Sequence, residues 1–337
     1  MSRVDEPEAP EPGSFFAPPV ETRPEDFGRL FLRYPELFPA RPAGEPWGDE
    51  TVAVDFAGGP YVFTGLCRPQ AAELGRRFGP MVLEAPPREA TSIRLFRADP
   101  AELKDVDLRG WSYTFDRDYQ AHAVRVAGLH FMARVDFEPV MRGALWTPFT
   151  DGSYFLAQVE NFFRLLVGYR LLDLGGVLFH SAGAASAGRG YLFLGHSGAG
   201  KTTISRKSLA EGREVLSDDM NALCPLDDSG RPAVEKLPFA GDLGRIPSPR
   251  RRFPLHGLFR LRKGEPRIAP LSRSQAVAFL IGCAPFVNVD PFRIERLTDN
   301  LTSLLGHHPL AELTFAKDRP VWPLLEPGSS PAKGSTS

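Results

Sequence analysis

The chain has 337 residues, a formal net charge of −1, 42% apolar residues and 25 phenylalanines, core material enough for two domains or one large α/β domain with an extension. Near-neutral charge gives no general attraction to nucleic acid or to an anionic membrane. Three widely spaced cysteines, Cys67, Cys224 and Cys283, form no CxxC pair and offer no disulfide framework, which suits a reducing compartment.

Residues 1–24 and 327–337, rich in Pro, Glu, Gly and Ser, are expected to be disordered tails. The N-terminus, MSRVDEPEAPEPG, is acidic and proline-rich rather than basic and then apolar, so no signal peptide is expected. The longest apolar stretch, Phe162 to Val177, is broken by Arg164, Arg170, Asp173 and glycines, short of the roughly 20 residues a membrane helix requires. These features predict a cytoplasmic protein.

Residues 25–150 read as a smaller, mainly β (α+β) domain of unread role. Thr51–Phe56 alternates, Gly58-Gly59-Pro60 turns, and Tyr61–Leu66 returns, a hairpin signal. Pro69–Phe78 has helical spacing, and strand-like runs follow at Ser92–Phe96, Ser112–Phe115 and Ala121–Phe137. From Asp151 the pattern changes. Asp151 or Ser153 can cap a helix in which Phe155, Leu156, Val159, Phe162, Phe163, Leu166 and Leu171 recur at three to four, and Gly175-Gly176 ends it. With it begins a second, α/β domain, residues 151–326. A strand Val177–Phe179 runs into His180, the turn Ala187–Gly190 leads to Tyr191–Leu194, and Lys201 to about Ala210 is helical. Glu214–Ser217 is a strand ending at Asp218-Asp219. Further strands are expected at Ala222–Pro225, Ala233–Leu237, Leu255–Leu261 and Ala311–Phe315, with helices at Ser272–Ile281 and Pro291–Leu305.

Between strand and helix lies Gly195-His196-Ser197-Gly198-Ala199-Gly200-Lys201-Thr202, the full G-x-x-x-x-G-K-[ST] pattern in its proper context. Glycines let successive N–H groups converge on phosphate oxygens without Cβ clashes, and the helix N-terminus adds a favourable dipole. Lys201 is one of only seven lysines in the chain. It supplies a point charge to the β- and γ-phosphates, and Thr202 offers a hydroxyl to Mg²⁺; Thr203 completes the expected ATP-binding set.

Asp218 and Asp219 follow Lys201 by 17 and 18 residues. Neighbouring strand residues face opposite ways, so a shared role requires the strand to end there and the chain to turn. One carboxylate would then hold Mg²⁺ and the other take a proton from an attacking hydroxyl. His180 closes the strand 21 residues before Lys201, at the edge of the same pocket.

The stretch VLFHSAGAASAGRGYLFLGHSGAGKTTISRKSLAEGREVLSDDMNAL, about 47 residues, resembles the C-terminal catalytic domain of the HPr kinase/phosphorylase family. The resemblance implies a mixed-sheet, phosphoenolpyruvate-carboxykinase-like P-loop kinase fold, with ATP and Mg²⁺ bound. It implies that His180 is an active-site histidine, Lys201 a catalytic lysine, Asp218 the general base toward a serine hydroxyl, and Asp219 a neighbour of the metal. In LPFAGDLGRIPSPRRRFPLHGLFRLRKGE, similar to a later stretch of the same group, Asp242 is a candidate for the metal's outer shell. Arg245 and Arg250–Arg252 there carry charge suited to a moving phosphoryl group. The glycine-rich partner-binding signature of true HPr kinases is absent, which favours a relative with another acceptor.

The expected activity is therefore transfer of the γ-phosphate of ATP to a hydroxyl of a protein, peptide or small molecule, serine foremost. Neither nucleic acid nor membrane is an expected partner, and a homo-oligomer is compatible with the sequence. An ATP-binding sensor without phosphotransfer, a carboxykinase-like enzyme and an ATPase stand as rival readings. The loop GHSGAGKTT is shared in kind with carboxykinases, whereas no LSGGQ signature of transporter ATPases occurs.

Overall fold

A computed structural model describes residues 44–99, 103, 116–128, 130–225, 231–239, 241, 243–244 and 252–326. Both expected tails, the Ser112–Phe115 run, Asp242, Arg245, Arg250 and Arg251 lie outside these residues. The architecture is mixed α/β, with two sheets and several helices.

The first sheet holds β1 (Glu50–Val54), β2 (Tyr61–Leu66), β3 (Thr91–Arg97), β4 (Asp116–Tyr119), β5 (Ala123–Gly128), β6 (Phe131–Asp136) and β7 (Arg142–Thr147), in the order β1-β2-β3-β7-β6-β5-β4. Helix α1 (Arg68–Phe78) crosses from β2 to β3 with a proline in its first turn, where the missing N–H costs nothing. The expected run Ala121–Phe137 is two antiparallel strands. Alternation continues on both sides of the turn, and His130 takes φ 53° there without an Asn-Gly signal. Strand β7 was not anticipated because it is apolar on both faces and does not alternate.

Helix α2 (Gly152–Asp173) packs against β6 and β7 of this sheet and β8 and β11 of the next. Its expected apolar stripe is in fact a fully buried middle, every residue from Asn161 to Tyr169 being covered, as a helix between two layers must be. Phe163 meets Tyr61 (ring centroids 4.8 Å), Phe63, Phe78 and Phe239 edge-on. One apolar cluster thus joins residues of both sheets.

The second sheet is built from β8 (Val177–Ser186), β9 (Arg189–Leu194), β10 (Glu214–Ser217), β11 (Met220–Cys224), β12 (Ala233–Lys236), β13 (Arg252–Lys263), β14 (Arg267–Pro270) and β15 (Ala311–Phe315). Helices α3 (Lys201–Ala210), α4 (Arg273–Gly282), α5 (Ile294–His307) and α6 (Trp322–Leu325) complete it. Strand β8 pairs with β11 through Val177–His180, then with β9 through Ser181–Ser186. His180 therefore stands inside a longer strand, where the strand changes partner, and does not end it. The run SAGAAS reads poorly as a strand, yet its small residues are needed: a Cβ at Gly183 would collide with Asn221. Strand β13 likewise leaves β12 at Pro254 and joins β9 in parallel from Leu255. The strands β8, β11, β12, β13 and β9 so form a closed hydrogen-bonded circuit, with β15 parallel to β13 beyond it. No described helix is long and apolar enough to cross a membrane.

Candidate functional site

The glycine-rich loop leaves the C-terminal end of β9, the end at which parallel α/β sheets receive ligands. Gly198 and Gly200 have φ of +77° and +109°, conformations that favour glycine. Gly200 also faces Phe315, whose Cζ would lie 2.7 Å from an added Cβ. Gly195 is closed over by Ala199, and Ala199 N–H donates to His196 carbonyl at 3.1 Å. His196, Ser197 and Gly198 are exposed, while Lys201, the first residue of α3, is buried. Its Nζ donates to the Gly195 carbonyl at 3.0 Å, so the cation is folded back under the loop. Thr202 and Thr203 follow, half-buried, at the helix N-terminus.

Cys283 underlies the same loop from the end of α4. Its thiol is pushed up to about 11, first by burial; Lys201, Arg260 and a hydrogen bond from Gly195 N–H pull the other way. The Cys283 carbonyl accepts His180 N–H at 2.8 Å, and Ser181 N–H donates to the Asp219 carbonyl at 2.9 Å. Since Ser181 pairs with Leu194, immediately before Gly195, the backbone brings His180, the aspartate pair and the loop to one place.

The pair itself occupies the bend between β10, which ends at Ser217, and β11, which starts at Met220. The strand does end and turn there, as a shared role requires. Ser217 Oγ accepts Asp219 N–H at 3.1 Å and Met220 N–H at 3.2 Å, fixing the bend. Both aspartates are buried. Asp218 Oδ2 accepts Leu243 N–H at 3.2 Å, and Gly241 lies so close to Asp218 that only hydrogen fits at its Cα. Asp219 has His180 Nε2 at 3.6 Å and Arg164 at 3.8 Å.

His180, Gly195–Thr203, Asp218 and Asp219 are thus gathered in one region. Asp242 lies outside the described residues, although Gly241 and Leu243 border Asp218. Arg252, expected near the phosphates, opens β13 as an exposed residue. Reading the sequence missed Arg164, Cys283 and the backbone of Gly241 and Leu243. For Arg164 a signal exists: it is the one charge within the apolar run FFRLLVGY, and a cation in such a position must find partners.

Among the described residues no group of three or more His, Cys, Asp and Glu side chains converges. Magnesium, though, is ordinarily held by one or two carboxylates together with nucleotide phosphates and water. Asp218, Asp219 and the Thr202 hydroxyl are hard oxygen donors of that kind. Comparison with protein-family models and with curated proteins gives no match to this chain.

Proposed function

We propose that the protein is an ATP-dependent phosphotransferase with a phosphoenolpyruvate-carboxykinase-like kinase fold, moving the γ-phosphate to a hydroxyl, with serine of a protein or peptide as the leading acceptor. The observation carrying this reading is the convergence of strand, glycine-rich loop, Lys201 and the aspartate bend, elements of one motif and a separate acid pair. Loop N–H groups and the α3 N-terminus receive the phosphates, and Lys201, swung from the Gly195 carbonyl, offsets charge on the β- and γ-groups. Asp218 accepts the proton as the acceptor oxygen bonds to the γ-phosphorus and the bond to ADP breaks. Magnesium, when bound by Thr202 and Asp219, supplies charge neutralisation of the phosphates. His180 lies beside Asp219, where it orients that carboxylate.

Labelled γ-phosphate transfer from Mg-ATP to a cell extract tests the reading. Lys201→Ala is expected to abolish both transfer and tight nucleotide binding. Asp218→Asn is expected to stop transfer while ATP stays bound; full activity in that variant would remove Asp218 from the role of base. Tight ATP binding with no labelled acceptor would favour the sensor reading.

A further inference from the structure

Arg164 is 3% exposed, and it meets Asp219 itself as well as Phe239, close in the chain to the residues that border Asp218. Its guanidinium lies 3.8 Å from Asp219 Oδ2, 3.8 Å from Glu160 Oε2 on its own helix, and 5.3 Å from the centre of the Phe239 ring. Phe239 belongs to the segment that continues to Gly241 and Leu243, the two residues pressed against Asp218. Glu160 in turn accepts Nε of Arg77 from α1 of the first sheet. A line of charges therefore runs Arg77–Glu160–Arg164–Asp219–His180, from the first sheet to the glycine-rich loop's neighbour.

We propose that Arg164 is the positioning residue of the site: it fixes Asp219 by charge and Asp218 through Phe239 and the segment that follows. Glu160 and Arg77 hold Arg164 in turn. The inference rests on the phosphotransferase reading. A purely structural ion pair is the competing account, because buried pairs are often replaceable by apolar groups without loss of stability. The two differ in what they change. A structural pair alters the folded fraction, lowering nucleotide binding and turnover together. A positioning residue alters the geometry of the reacting groups, and a displacement near 1 Å can cost on the order of 100-fold in rate while leaving ground-state binding intact.

The test uses full-length wild type, Lys201→Ala, Arg164→Met, Arg164→Lys and Glu160→Gln. Three quantities are read: Kd for Mg-ATP, the rate at which label leaves [γ-³²P]ATP in cell extract above the Lys201→Ala background, and Tm. Arg164→Met is expected to lose on the order of 100-fold in rate with Kd within about threefold of wild type. Arg164→Lys is expected to recover part of the rate, the charge being restored without the planar fork. Should Arg164→Met not fold, Arg164→Lys and Glu160→Gln carry the test, each expected to lower the rate at unchanged Kd. Wild-type rates in the folded Arg164 variants, or rate and Kd falling together with Tm, would overturn the inference while the Lys201 control still stood. Wild type that fails to bind Mg-ATP, or Lys201→Ala that binds as well as wild type, would overturn the phosphotransferase reading and this inference with it.

Discussion

At the scale of single residues, two positions carry measurable consequences. Cys283 ionises near 9 when unfolded and at about 11 in the folded protein. Its contribution to stability is therefore full below pH 9 and lost as pH rises toward 11. Urea midpoints of wild type should fall more steeply over that interval than those of Cys283→Ala. Tyr119, Tyr169 and Tyr191, also raised by burial, are common to both proteins and cancel in the difference. Gly183 makes a second case. Any side chain there meets Asn221, whose Nδ2 donates to the Ser181 carbonyl at 2.7 Å. Gly183→Ala should destabilise, and pairing it with Asn221→Ala should give back part of the loss, a coupling of about 1 kcal/mol or more in a double-mutant cycle.

Among the elements, α6 has an importance beyond its four residues. Glu211, at the end of α3, accepts the N–H groups of Val321 and Trp322 at 3.1 and 3.2 Å. Trp322 Nε1 donates to Ser208 Oγ at 3.1 Å, and Glu326 accepts Tyr191 Oη at 2.9 Å. The helix that begins with Lys201 is thus clamped from below. Trp322→Ala is expected to cost about 3–5 kcal/mol, and Trp322→Phe distinctly less, by chemical denaturation. This contact was not legible in the sequence, because Trp322 stands outside any periodic run. What was legible had a short range. The loop glycines, Lys201 and the acid pair announce themselves through backbone requirements and charge placed on apolar strands. Strand β8 past His180 did not, since Ser, Ala and Gly carry no strand preference, and Asn221, about forty residues on, accounts for Ser181 and Gly183 there.

For the whole molecule the decisive element is α2. The sequence divides at about residue 150, where β7 ends at Thr147 and α2 starts at Gly152, but the helix lies against both sheets. Phe163 sits in an aromatic group drawn from β1–β2, α1 and the 239 segment. Phe163→Ala should cost about 3–5 kcal/mol and lower stability without splitting the transition, tryptophan fluorescence and far-UV circular dichroism remaining coincident. A chain beginning at residue 151 should expose one flank of α2 and fail to give a dispersed amide NMR spectrum. Two separately resolved transitions would contradict this reading.

The closed circuit of β8, β11, β12, β13 and β9 also bears on what happens when copies of the protein crowd together. A strand inside the circuit offers no open row of amides to another chain. Among the described residues the outermost strands are β10 and β14 in the second sheet and β1 and β4 in the first, each of four or five residues. Their sequences, EVLS, RIAP, ETVAV and DRDY, carry a charge in every case, and β14 ends in proline. Short, charged or proline-ended margins are poor templates for cross-strand association. Among the described residues, the strand pairing that assembles the candidate site thus leaves only short, charged or proline-ended margins to another chain.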